Sequence, residues 1–303
     1  MAIKGGNYFR LLKRAAAEFS TDNVIKLSAS LAYYTIFSIG PLMLVIISLT
    51  GLFVERERIT GNIYEQLNNF IGQQGADQVL SIMQQMQQQN EAAKFSIIGM
   101  VLLVFGATGV FADIQDSINY IWSVRAKPKK GWLKFLKNRL LSFSLIVGIG
   151  FLLIVSLLVS TVADLLTDRL RQLFVNEAVM VFQGLNVLIL FLVTSLLFSV
   201  VYKVLPDAYI RWKDALVGAS FTAILFLVGR FLIGIYLSRS DVANTYGAAA
   251  SVIIILSWVY YSSIILYFGA EFTKVYALEA GGGIRPNETA VFIIKKEARE
   301  LGA

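Results

Sequence analysis

ALVGASFTAILFLVGRFLIGIYLS, residues 215–238, decides the fold. A hydrocarbon core of about 30 Å takes roughly 20 helical residues to cross, and this apolar run is long enough. One charge lies inside it, Arg230. An arginine at the centre of a span costs about 2.5–3.5 kcal/mol on insertion scales, so it faces a bundle interior or a wet cavity. The stretch therefore predicts a membrane helix whose neighbours provide surroundings for a guanidinium.

The rest of the chain agrees. Of its 303 residues 56% are hydrophobic and 16% charged, too apolar for a soluble domain of this size. There is no cysteine, which excludes disulfides and thiolate metal sites, and no histidine, the commonest general base. The net charge of +7 admits nucleic acid or a membrane surface, and the placement of the charges decides between them.

Apolar blocks predict six transmembrane helices, about 24–54, 95–112, 140–163, 178–205, 215–238 and 248–270. Residues 1–280 read as one all-α polytopic membrane domain and 281–303 as a short cytoplasmic tail. Lys4, Arg10, Lys13 and Arg14 alternate with Tyr8, Phe9, Leu11 and Leu12, the pattern of an amphipathic interfacial helix. Gly40 and Pro41 break the first span, because proline removes a backbone donor and clashes one turn back; a hinge is the functional reading there and a static kink the plainer one. Residues 55–94 place Ile59, Ile63, Leu67 and Phe70 at helical spacing, and again Val79, Ile82, Met83 and Met86. They read as an extracytoplasmic helical hairpin. The second span is expected to continue through DIQDSINYIW, with Ile114, Ile118 and Ile121 on one face and Asp113, Asp116 and Asn119 on the other.

Orientation follows from Lys and Arg. With both termini inside, the inner segments hold 20 of the 27 basic residues and the outer segments six. That asymmetry marks cytoplasmic termini. The segment 123–139, SVRAKPKKGWLKFLKNR, has seven basic residues and no acidic one. Lys127, Lys129, Lys130, Lys134, Lys137 and Arg139 are the expected contacts to anionic lipid headgroups. Trp122, Trp132 and Trp212 fall at the same boundary, where indoles anchor. Topology thus accounts for the basic excess, and nucleic acid is not expected as a partner.

Two constellations are candidate binding sites. Arg230 lies about eight residues, roughly 12 Å, from the outer end of its helix. Gln183 and Asn186, three residues apart on the fourth span, reach a similar depth and offer carbonyl oxygens. This pairing suits an anion or headgroup; a structural arginine knitting two helices is the plainer reading. Tyr260, Ser263, Tyr267, Glu271 and Lys274 recur at helical spacing on the sixth span. With Asp113, Asp116, Tyr33 and Tyr34 they suggest a cytoplasm-facing polar cavity; solvated interfacial carboxylates are the alternative. Metal sites, cofactors and catalysis are not expected: there is no deep carboxylate pair, Walker loop or Gly-x-Ser-x-Gly elbow.

LSASLAYYTIFSIGPLML (27–44), GVFADIQDSINYIW (109–122), YKVLPDAYIRWKDALVGASFTAILF (202–226) and YGAAASVIIILSWVYYSSIILYFGAEF (246–272) resemble the YihY/BrkB family of bacterial inner-membrane proteins. The resemblance covers nearly all of residues 1–280; L-P at 205–206, W-K-D at 212–214 and G-A-E at 269–271 carry most of its specificity. It implies six spans with cytoplasmic termini. Some members bear the label "ribonuclease BN", but this chain lacks the histidine and acidic metal ligands of a hydrolytic nuclease. The expected function is transport or lipid translocation of an anionic lipid or solute in the inner membrane. The alternative is a non-transporting envelope scaffold that organises lipid.

Overall fold

The computed structural model describes residues 5–36, 76–77, 80–81, 97–127, 176–239 and 250–295. The main helices are α1 (Gly5–Thr21), α2 (Val24–Ile36), α3 (Ile97–Ile121), α4 (Asn176–Val204), α5 (Trp212–Arg239) and α6 (Ala250–Glu279). Among the described residues four short strands lie between and after them: β1 (Val124–Ala126), β2 (Ala208–Tyr209), β3 (Arg285–Pro286) and β4 (Ala290–Phe292). Among the described residues three helices are long and apolar enough to cross a membrane, through Val187–Val204, Trp212–Ile233 and Val252–Glu279. The Gly40–Pro41 hinge, the hairpin 55–94 apart from four helical residues (76, 77, 80 and 81), and the span 140–163 lie outside the described residues.

Helix α6 is the axis of the described fold, packing against α1, α3 and α5. Its crossing with α5 is built from small residues. A Cβ added at Gly218 would lie 1.8 Å from Thr273 Oγ1, and one at Gly269 would lie 1.9 Å from Thr222 Oγ1. Between apolar helices in lipid, such close backbone approach replaces the hydrophobic effect as the source of packing energy. Tyr202 reaches across from α4, its buried hydroxyl donating to Leu266 O at 2.8 Å and lying 2.9 Å from Thr222 Oγ1.

Two expectations change at this level. Helix α1 places its buried Leu11 and Ala15 against Phe272 and Val275 of α6, so this face is covered by protein. Trp122 is no interfacial anchor. It is buried in the core, and its indole N–H donates to Ala270 O at 3.1 Å. Trp212 is exposed, with Lys203 Nζ 5.9 Å from its ring centre; Trp132 lies outside the described residues.

The chain after α6 forms a strap, which an all-α reading omits. Helix α6 closes with Gly281 N–H on Tyr276 O at 3.0 Å, and Gly283, at the left-handed φ of 77°, turns the chain back with its N–H on Ala277 O at 2.8 Å. Gly282 N–H bonds the Asp214 carboxylate at 2.8 Å, tying the tail to the first turn of α5. Strand β3 then pairs antiparallel with β2, and β4 with β1. Asp207 locks the junction. It accepts from Gln115 (3.3 Å), Asn119 (3.1 Å) and Asn287 (3.3 Å), while its own N–H donates to Asn119 Oδ1 at 2.8 Å. Asn119, expected on a polar face, is buried because it serves this clamp.

Candidate functional site: a buried polar column on helix α6

The polar positions of α6 do align, and most are buried. Ser263, Tyr267, Glu271 and Lys274 are all buried and Tyr260 is half-buried. At the C-terminal end of the column Lys274 Nζ gathers three carboxylates: Glu18 at 2.6 Å, Glu271 at 2.7 Å and Asp22 at 3.2 Å. It also donates to Ile121 O at 2.9 Å. Lys295, at the end of the strap, lies 2.6 Å from Asp22 and 4.3 Å from the Tyr120 ring centre. The last turn of α1 supplies Glu18 and the α1–α2 turn supplies Asp22, and Asn23 at φ 52° makes that turn tight. Arg14 extends the network to Glu18 (2.9 Å) and Glu279 (2.8 Å).

Burial pushes the Glu18 carboxyl up, but the hydrogen bond and charge of Lys274 outweigh it and hold it below the usual range. Asp22 behaves alike: burial raises it, and the hydrogen bond from Lys295 with the charges of Lys274 and Lys295 brings it below. Glu271 is wholly buried; its Oε1 has no hydrogen-bond donor, and Lys274 is its ionic partner. The solvated alternative for Glu271 is thereby excluded.

One turn further along α6 the column meets α3. Asp113 Oδ1 accepts from Ser30 Oγ of α2 at 2.9 Å, but its buried Oδ2 has no donor. The buried Tyr267 hydroxyl lies beside Asp113 and Ser117. Asp116, on the same helix, is exposed. Tyr33 and Tyr34 stack edge to face at 6.1 Å and are 60% and 47% exposed, so they stand apart from this buried cluster. Helix α2 turns Ser30 inward and the tyrosines outward, a division that helical spacing imposes.

Arg230 is half-buried on α5, beside the face where Phe226 and Ile233 pack on Trp258. Among the described residues no carboxylate or hydrogen-bond acceptor pairs with it. The side chains of Gln183 and Asn186 lie outside the described residues, as do Lys129, Lys130, Lys134, Lys137 and Arg139. Lys127 is described and exposed at the end of β1, its backbone N–H bonded to Thr289 O at 2.6 Å. No group of His, Cys, Asp and Glu among the described residues has the arrangement of a metal site.

The family described as Virulence factor BrkB matches residues 15–291. The chain belongs to the BrkB family. Its curated relatives are named UPF0761 membrane proteins. That of Tolumonas auensis is 30% identical over 258 residues, 83% of this chain and 80% of the relative. One from Vibrio vulnificus is 26% identical over 291 residues, 94% and 87%. One from Pseudomonas paraeruginosa is 30% identical over 259 residues, spanning 84% of this chain and 60% of the longer relative. No solved structure matches. This BrkB-family chain is therefore a membrane protein, and its motif residues now have physical roles. Asp207 of L-P-D clamps α3 to the strap, Asp214 of W-K-D caps it, and Gly269 and Glu271 of G-A-E give the helix crossing and the charge knot. Sequence reasoning missed Glu18 and Asp22 as partners of Lys274, and Lys295 as a second cation on Asp22. Their nearest signal was the acidic pair in AAAEFSTD, adjacent to a basic helix.

Proposed function

We propose that this protein is a six-span protein of the bacterial inner membrane, with both termini cytoplasmic, that translocates an anionic lipid or solute and is not an enzyme. Arg230 carries this reading. It is a half-buried cation within a membrane-spanning stretch, and no described carboxylate neutralises it. A guanidinium so placed keeps its charge, because its pKa is far above neutrality. An anion arriving from the lipid or the solution supplies what the fold leaves out, with planar, bidentate recognition of phosphate or carboxylate. The charge knot on α6 supports a different task, holding the opposite end of the bundle together, since Lys274 already has three carboxylates.

The test is translocation in liposomes. Purified protein is reconstituted with a fluorescent phosphatidylglycerol, and the accessible fraction is bleached by a membrane-impermeant reductant. Wild type is expected to expose the inner-leaflet probe and Arg230→Leu to lose that activity while folding normally, because leucine needs no partner in lipid. Equal activity of Arg230→Leu overturns the role of Arg230. No movement of this lipid or of small organic anions by wild type overturns the translocation reading and leaves the scaffold.

A further inference from the structure

We propose that the α4–α5 turn and strand β3 form a docking surface for the headgroup of an anionic phospholipid. The observation is a set of exposed cations and aromatic rings that the fold fixes side by side and leaves unneutralised. Tyr209 and Arg285 are direct partners across the β2–β3 pair, so their side chains share one face of that ribbon, and both are exposed. Arg211 crosses the strap at Gly282, where an added Cβ would collide with its Nε, so the glycine leaves room for that side chain. Trp212 and Lys213 follow, both exposed, and Lys203 Nζ lies 5.9 Å from the Trp212 ring centre.

The neighbouring carboxylates are turned away. Asp207 is buried in its clamp with Gln115, Asn119 and Asn287, and the buried Asp214 accepts from Gly282 N–H. Glu288 is the acidic residue of the strap, and among the described residues no ion pair joins it, or any other carboxylate, to Arg211, Lys213 or Arg285. The cations alone would suit any anion, but this cluster sits where apolar surface begins. Val204 ends the span Val187–Val204, Trp212 starts the span Trp212–Ile233, and Leu216 lies one turn on from Trp212 on the same face; all three are exposed. An amphiphile with a phosphate head and acyl chains fits both parts, with Arg211 and Arg285 on its phosphate and the indole at headgroup level. Arg230 lies 18 residues further along α5, about 27 Å at the helical rise, so this surface stands apart from the translocation reading.

Binding is measured on the detergent-purified full-length chain, without any transport assay. Phosphatidylglycerol with a pyrene-labelled acyl chain is titrated in mixed micelles and followed by energy transfer from tryptophan, with unlabelled lipids and inorganic phosphate as competitors. Saturable binding is expected, displaced by phosphatidylglycerol and not by phosphatidylcholine or inorganic phosphate. Arg285→Gln is expected to weaken it about fivefold and Arg211→Gln/Arg285→Gln about 30-fold, the effect of one and of two basic residues at an anionic surface. Arg285 is exposed on its strand, so the single variant carries the test if the loss of Arg211 loosens the strap. Lys26→Gln removes the same charge from the exposed side of α2 and is expected to leave binding unchanged at physiological ionic strength, where distant charges are screened. Undiminished binding in both arginine variants, equal weakening by Lys26→Gln, or displacement by phosphatidylcholine overturns the proposal. Displacement by inorganic phosphate overturns the lipid as its occupant and leaves a free anion.

Discussion

Asp207 shows how much one side chain holds in this fold. Its carboxylate and backbone together bond Gln115, Asn119 and Asn287, which come from α3 and from the strap. Replacing it by alanine removes three acceptor contacts and leaves buried amide donors without partners. Hydrogen bonds to a charged group are worth about 1.5–3 kcal/mol each, but they share one acceptor, so Asp207→Ala is expected to cost about 3 kcal/mol in total. Thermal melting of the detergent-purified chain measures this, and an unchanged midpoint would show the clamp to be idle. The sequence could not announce the role. L-P-D reads as a linker, and the partners of Asp207 lie 80 to 92 residues away. Arg230 was the opposite case. A charge inside an apolar run is conspicuous without any knowledge of its neighbours.

At the scale of elements, α1 is joined to α6 by charge as well as by Leu11 and Ala15. Glu18 and Asp22 both titrate lower in the folded chain than in the unfolded one, since Lys274 and Lys295 favour their ionised forms. Their contribution is therefore fully present above the unfolded values, about 4.3 for Glu and 3.9 for Asp, and is lost as pH falls through the folded values. Wild type is expected to be more stable than Glu18→Gln by about 1–2 kcal/mol at pH 7, by the same charged hydrogen bond. That advantage should hold down to about pH 5 and close toward pH 3. Paired melting curves at each pH check it; an advantage that persists undiminished at pH 3 would refute the assignment. The long helices behind these contacts were legible because apolar length and 3.6-residue spacing extend over many turns. The strands were not, because two or three residues carry no measurable alternation. Helix α6 continues past the apolar run to Glu279, through the buried Glu271 and Lys274 whose helical spacing with Tyr267 was legible, although their partners were not.

At the scale of the molecule, the described half of the inner-side reading is a compact assembly of α1, the β1 and β2 loops and the strap, all meeting at the same end of α6. The segments brought together there include residues 5–26, 203–213 and 274–295, which fall in three of the segments that the charge count assigns to one side. Their contacts, Asp214 with Gly282, Asp207 with Asn287, and Lys295 with Asp22, require them to share a compartment. A topology placing any one of them across the membrane from the others would have to break these bonds. The six-span arrangement keeps them together and puts residues 55–94 on the far side. The chain contains no cysteine, so single cysteines report position without background. Cysteines introduced at Gln74 and Lys129 are expected to label from opposite sides: Gln74→Cys in intact spheroplasts with an impermeant maleimide, Lys129→Cys only after the membrane is opened. Labelling of both in intact spheroplasts would require an odd number of crossings to be removed between them, and the six-span arrangement would fail with it.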